Sequence, residues 1–147
     1  MAHTVNSIVI NAPYEKVFDL SNDISRWKEY FKEYTGSEVI KTEGNKITFR
    51  LTHENGNSWI SYRLLFKEDK FAYASRVEPM FPFGYMKIIW LYRKVEGGVE
   101  MTWIQDFTMD SKAKFSDEQV EGMINKHSAE NLKNFKAIIE EEVKVKA

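Results

Sequence analysis

The chain has 147 residues, no cysteine and a formal net charge of −1 at pH 7. Its length suggests one domain, and the missing cysteines exclude disulfides, cysteine-based zinc sites and a cysteine nucleophile. The balance of 21 basic and 22 acidic side chains argues against nucleic acid or an anionic membrane as the main partner. Aromatic residues make up 14% of the chain, and such residues either fill a core or line a ligand pocket.

The first part of the chain predicts one strand and two short helices. Val5–Ile10 alternates as a strand. Pro13 suits the first turn of a helix that ends near Leu20, because an N–H at that position has no partner within the helix. Asp23 is expected to cap a second helix over Ile24–Phe31.

Six more strands follow, separated by short hairpin turns that make neighbouring strands antiparallel. A long helix then begins after Ser116, a good N-cap, and runs to about Val143. This order predicts an α+β fold in which one curved antiparallel sheet of seven strands closes around one long helix. The six predicted strands are Ser37–Glu43, Lys46–Glu54, Ser58–Lys67, Phe71–Glu78, Gly84–Val95 and Val99–Met109.

Polar side chains interrupt the faces that we expect to point at the long helix. Ser61 and Arg63 share one strand face, and Gln105 interrupts the apolar face of the last strand. Asn131 lies at the centre of the apolar stripe of the helix. A buried polar group without a partner costs about 1–3 kcal/mol, so these groups should meet one another or a ligand.

Each of these residues also has a structural interpretation. Arg63 could equally point outward on a strand with two apolar faces, and Gln105 could equally be a satisfied core amide. His127, beside Asn131 on the helix stripe, is more simply explained as a structural histidine. The coincidence of several polar groups on faces that meet one interior favours a pocket.

Other chemistry is not visible in the sequence. The three histidines lack metal-ligand spacing, and no nucleophile elbow, phosphate-binding loop or dinucleotide fingerprint occurs. We therefore expect neither a metal nor a cofactor. The N-terminal stretch does not read as a signal peptide, and no apolar run is long enough for a transmembrane helix, so a cytoplasmic location is expected.

Six stretches of the chain, in colinear order, share their motifs with one known family. They are Asn6–Pro13, Ser21–Ile24 with Trp27, Phe31–Tyr34, Trp59–Arg63, Phe83–Met86 with Trp90, and Gly97–Met101 with Trp103 and Gln105. The chain thereby resembles the bacterial aromatic polyketide aromatase/cyclases of the tetracenomycin type. The first stretch is shared with the wider START-like (SRPBCC) helix-grip superfamily, whereas Trp-x-Ser-x-Arg and Tyr-Met-x-x-x-Trp are more specific.

The resemblance implies a helix-grip fold, with a single START-like polyketide cyclase domain over residues 1–147 and a deep cavity. A linear poly-β-keto chain, delivered on an acyl carrier protein, would be closed there by an intramolecular aldol reaction and aromatised by loss of water. By this resemblance Arg63 and Tyr34 are the catalytic residues. The substrate-binding residues expected from resemblance and pattern are Trp27, Phe31, Trp59, Ser61, Phe83, Met86, Trp90, Trp103, Gln105 and Asn131.

Two features bear on the cavity mouth and on the alternative function. Asn57 stands where the tetracenomycin-type enzymes carry a tryptophan, which changes the expected mouth. The segment Pro79–Gly84 is expected to form a stiff apolar loop at the entrance, or else a turn packed on its own domain. The alternative function is a non-catalytic carrier for a lipid, quinone or polyphenol, because the same aromatic cavity would serve it.

Overall fold

In the computed structural model, which describes residues 1–146, seven antiparallel strands form one sheet beside a long C-terminal helix. The strands are β1 Ala2–Ile10, β2 Tyr34–Glu43, β3 Lys46–His53, β4 Ser58–Phe66, β5 Phe71–Glu78, β6 Phe83–Val95 and β7 Gly98–Met109. Their order along the sheet is β1-β7-β6-β5-β4-β3-β2. Each strand from β2 to β7 thus pairs with the strand next to it in sequence, and β1 pairs with β7. The predicted α+β fold with seven strands is confirmed.

The connection from β1 to β2 holds the short helices. These are α1 (Tyr14–Ser21), a 3₁₀ turn (Ile24–Arg26) and α2 (Trp27–Tyr30). The prediction that Asp23 caps one continuous second helix is wrong, because its carboxylate accepts the Ser25 hydroxyl at 2.8 Å and leaves the backbone N–H groups alone. The segment therefore turns tightly instead of propagating one helix.

The long helix α3 spans Asp117–Lys146. Its predicted N-cap is confirmed, because the Gln119 backbone N–H donates to Ser116 Oγ at 3.2 Å. In return the Gln119 side chain accepts the Ser116 backbone N–H at 2.9 Å, which completes a capping box. None of the described helices is long and apolar enough to cross a membrane.

A stack of aromatic rings joins α2, the sheet and α3. The Trp90 and Trp103 rings lie parallel with centroids 4.4 Å apart, and Trp27 stacks on Trp90 at 5.6 Å. Phe135 of α3 packs edge-on against Trp90 and Trp103. Stacked and edge-on pairs are favourable beyond the area that they bury, so part of the aromatic content is a core that ties helix to sheet.

Tyr30 offers a stability test that is independent of function. Its ring is fully buried and stacks on Phe135 at 4.4 Å, but its hydroxyl has no hydrogen-bond partner among the described residues. Replacing Tyr30 with phenylalanine keeps the stack and removes the unpaired polar group. We expect Tyr30→Phe to raise the free energy of unfolding by about 1 kcal/mol, measured by urea denaturation; a loss of stability would show that the hydroxyl has a partner.

Candidate functional site

A cavity of about 270 Å³ lies between the inner face of the sheet and α3. Its walls come from α2, from β2 to β7 and from α3, so residues far apart in sequence meet there. All twelve residues predicted for the site line this cavity. They are Arg63, Tyr34, Trp27, Phe31, Trp59, Ser61, Phe83, Met86, Trp90, Trp103, Gln105 and Asn131.

Arg63 is the most buried polar group of the cavity wall, with 1% of its surface exposed. Its Nε donates to Asn22 Oδ1 at 2.7 Å, and its guanidinium carbon lies 4.0 Å from the centre of the Trp90 ring. Its Nη2 is buried without a hydrogen-bond partner, and none of the ion pairs among the described residues includes Arg63. The alternative in which Arg63 points outward is wrong.

The charge of Arg63 persists in this apolar setting. Burial lowers its pKa to about 10, and the neighbouring Tyr92 opposes that shift. Because this pKa lies well above neutrality, the group is a cation at pH 7. A cation on the cavity wall that faces aromatic rings and has no carboxylate partner among the described residues is suited to bind an oxygen that carries or develops negative charge.

Tyr34 lies at the start of β2, which begins three residues earlier than the sequence predicts because Tyr34 pairs with His53 of β3. Its ring packs against Phe31 at 4.9 Å and edge-on against Trp59 at 5.9 Å. Burial, with the nearby Glu33 charge, raises the pKa of Tyr34 above its ordinary value. The side chain is therefore a neutral phenol that can donate a hydrogen bond or a proton.

Arg76 is a second cation in the wall, and sequence reasoning missed it. Its guanidinium carbon lies 4.0 Å from the centre of the Trp59 ring, and Nη1 donates to the Phe81 carbonyl at 3.1 Å. Burial lowers its pKa to about 10, opposed by Tyr34. The pairing of β4 with β5 could have identified Arg76. Phe66 pairs with Phe71 beside the turn, and the same register pairs Arg76 with Ser61, whose side chain lies on the inner face.

The Pro79–Gly84 segment adjoins the cavity through two contacts. Phe83 lines the wall, and the Phe81 carbonyl accepts from the cavity-lining Arg76. The Phe81 ring itself is 52% exposed. The segment thus borders the same cavity end as Arg76, and its part in ligand entry stays a prediction.

The amide of Asn131 bonds to other protein groups, whereas the prediction had it bind the substrate. Its Nδ2 donates to both carboxylate oxygens of Glu33, at 2.9 and 3.2 Å, and its Oδ1 accepts the Lys32 backbone N–H at 3.4 Å. These bonds hold the turn before Tyr34 against α3. Asn131 therefore orders the cavity rim with polar atoms that are already engaged.

The remaining polar groups of the lining differ in exposure. His127 is exposed at the cavity rather than enclosed in the core. Gln105 is half-buried in the wall. Five further polar residues were not predicted, because each follows from strand register or helix phase rather than from a motif: Glu33, His53, Ser75, Arg76 and Ser128. No cluster of described residues could hold a metal ion.

Comparison with solved structures supports the fold assignment. The crystal structure of the Zhui aromatase/cyclase from a Streptomyces species is similar with a TM-score of 0.86, at 17% identity over 96% of this chain and 94% of that one. A START-superfamily protein from Mycobacterium smegmatis is similar with a TM-score of 0.68, at 12% identity over all of both chains. These likenesses confirm the helix-grip fold.

Comparison of sequences identifies the family. Residues 1–140 match the family described as polyketide cyclase/dehydrase and lipid transport. A protein named as a candidate polyketide cyclase from Streptomyces cyaneus is 44% identical over 131 residues, 86% of each chain. Another of that name from Streptomyces halstedii is 40% identical over 107 residues, 69% of this chain and 97% of the relative. The chain therefore belongs to the polyketide cyclase/dehydrase and lipid-transport family.

Proposed function

We propose that the protein is a polyketide aromatase/cyclase that binds a linear poly-β-keto chain in the cavity and closes one ring by an aldol reaction. The observation that carries this proposal is Arg63, a buried cation on the wall of an aromatic cavity that has no carboxylate partner within the described part of the chain. Such a group stabilises the enolate and the alkoxide that an aldol closure generates, the kind of electrostatic stabilisation that usually contributes most to catalysis.

The proposed reaction balances without a cofactor. An α-carbon between two ketones loses a proton to the Glu33 carboxylate, which lines the cavity and is oriented by Asn131. The resulting enolate carbon attacks a second ketone of the same chain. The ketone oxygen becomes an alkoxide beside the Arg63 guanidinium and takes a proton from the Tyr34 phenol. Loss of that hydroxyl with a neighbouring α-hydrogen releases water and forms one ring double bond, and enolisation of the remaining ring ketones forms the others. The proton taken up by Glu33 returns to the Tyr34 phenolate through solvent, which restores both groups.

The shape of the cavity fits a flat, oxygen-bearing ligand of modest size. Its volume of about 270 Å³ lies near the lower end for small-molecule pockets, about 300 Å³. Arg63 and Arg76 lie on one face of β4 and β5 in diagonal positions, whose Cα atoms are about 7–8 Å apart. Oxygens spaced along a β-keto chain would meet both cations while its carbons lie against aromatic rings. We also propose delivery of the chain by an acyl carrier protein.

A carrier function is the second candidate. Most lining residues are apolar, and the family's description includes lipid transport. A carrier would use the same walls to hold a lipid, quinone or polyphenol. It would not need a phenol and a cation placed to act on a ketone.

Reconstitution with a minimal polyketide synthase and its acyl carrier protein tests the proposal. The synthase alone releases a mixture of spontaneously cyclised products, and the wild-type protein is expected to convert that mixture largely to one aromatic product. An unchanged mixture, together with tight binding of fatty acids or quinones, would favour the carrier.

Tyr34→Phe separates proton donation from binding. The ring contacts with Phe31 and Trp59 are kept and only the phenol hydroxyl is lost. We expect the cyclisation rate to fall about 10²-fold, the lower end for a lost general acid, with little change in the dissociation constant of a flat aromatic ligand. Equal losses of rate and affinity would instead make Tyr34 a binding residue.

A further inference from the structure

We propose that Asn22 and Tyr92 are positioning residues for Arg63. They hold the guanidinium at Nε through a neutral amide, which adds no negative charge and leaves the charge of this cavity-lining group for an anionic oxygen of the ligand. The inference rests on the proposed function, because it concerns how the cation of that site is held. Asn22 lies just after α1, and Tyr92 lies on β6, so neither belongs to the cavity wall.

The orientation of the Asn22 amide is fixed from both ends. Asn22 is 6% exposed, and its Nδ2 donates to the Phe18 carbonyl at 2.8 Å and to Tyr92 Oη at 3.0 Å. Both amide hydrogens are therefore engaged, and Oδ1 is the atom left for Arg63, whose Nε donates to it at 2.7 Å. A flipped amide would place two donors against the guanidinium and lose the bond.

The hydrogen bonds of Ser21 and Tyr92 have a single consistent assignment of donors and acceptors. Ser21 Oγ donates to the Phe18 carbonyl at 3.2 Å, so its 2.8 Å contact with Tyr92 Oη has the phenol as donor. The Tyr92 oxygen is then free to accept from Asn22. Burial raises the pKa of Tyr92, so the phenol keeps the proton that this direction requires.

The network supplies polarity to Arg63 without supplying a negative charge. Every described hydrogen-bond partner in it is an amide, a hydroxyl or a carbonyl. A carboxylate at position 22 would neutralise the guanidinium and compete with the ligand's oxygen. With Asn22 there, and with Trp27 and Trp90 beside the guanidinium, the cation is held by neutral contacts and retains its charge for the ligand.

The test uses the ionisation of a bound phenol as its readout. 7-Hydroxycoumarin is titrated by absorbance, free and bound to each protein at saturating concentration. An adjacent cation lowers the pKa of an acid by about 1–3 units, so wild-type protein should lower that of the bound phenol by at least about one unit. We expect Asn22→Ala to remove more than half of this shift and Tyr92→Phe to remove a smaller part. Asn134→Ala, a half-buried asparagine that bonds the Tyr30 carbonyl, is the matched control and should keep the full shift.

Two outcomes separate this inference from the proposed function. If Arg63→Met abolishes the shift and Asn22→Ala keeps it in full, Asn22 does not position the cation and the proposed function stands. If the probe fails to bind wild-type protein, or Arg63→Met keeps the shift, the proposed oxyanion role is wrong and the inference falls with it.

Nuclear magnetic resonance of the wild-type Arg63 Nε–H gives a measurement that needs no folded variant. Slow hydrogen exchange of this proton is expected from its buried bond to Asn22, and fast exchange would overturn the inference.

Discussion

Replacing Arg63 with methionine is expected to lower the rate of enzymatic ring closure by about 10²–10³-fold. The loss follows from removing the most buried cation of this cavity wall, which has no carboxylate partner among the described residues. Loss of a single preorganised donor to a developing oxyanion has an effect of that size in other enzymes. The measurement is the product profile and rate of the reconstituted synthase with wild-type or variant protein.

The same substitution should leave the fold in place. Methionine fills a similar volume and can pack on the Trp27 and Trp90 rings that flank the guanidinium. Removing a buried charge relieves its desolvation, whereas Asn22 Oδ1 loses its partner, so we expect the free energy of unfolding to change by no more than about 2 kcal/mol. The control is Arg93→Met, because Arg93 is an exposed residue of β6 that forms an ion pair with Glu100 of β7. A folded Arg63→Met protein with unchanged products would contradict the mechanism.

Replacing Ser61 with phenylalanine is expected to weaken the binding of a flat aromatic ligand by about 100-fold or more, or at least ~2.7 kcal/mol. Ser61 is buried in the cavity wall between Trp59 and Arg63 on one face of β4. A benzyl group at this position projects into the cavity and occupies space that the ligand needs. Because the cavity can accept the ring, the cost to folding should stay at or below the 1–3 kcal/mol typical of overpacking.

The control for Ser61→Phe lies on the same strand. Ile60 is the preceding residue and points to the other face of the sheet, so Ile60→Phe adds a ring of the same size outside the cavity. Quenching of tryptophan fluorescence by the ligand measures affinity for both variants, since Trp27, Trp59, Trp90 and Trp103 all line the cavity. Equal affinities of the two variants would place the ligand elsewhere.

The order of elements could be predicted because local patterns determine it. Alternation and turn residues identified all seven strands, and Ser116 identified the start of α3. The short helical segment that follows Asp23 could not be predicted correctly, because the Asp23 carboxylate accepts the Ser25 hydroxyl instead of a backbone N–H. Such a choice between near neighbours is not encoded in residue type alone.

The cavity wall could be predicted in part for a similar reason. Alternation left the direction of Arg63 open, because its outward neighbours Tyr62 and Leu64 are half-buried too; the structure fixes it inward. Arg76 required the pairing register across β4 and β5, where an irregularity between Ile60 and Ser61 shifts the ladder near it. The role of Asn22 could not be predicted from local sequence patterns, because its bond to Arg63 joins residues 41 positions apart.

A crystal structure of the protein with a bound polyhydroxylated aromatic ligand tests the central claim most directly. The ligand is expected to lie in the cavity between α3 and the sheet, with a carbonyl or phenolate oxygen about 2.7–3.1 Å from an Arg63 guanidinium nitrogen and its ring against the tryptophans. A ligand bound outside the cavity, or inside it with an apolar edge toward Arg63, would contradict the account.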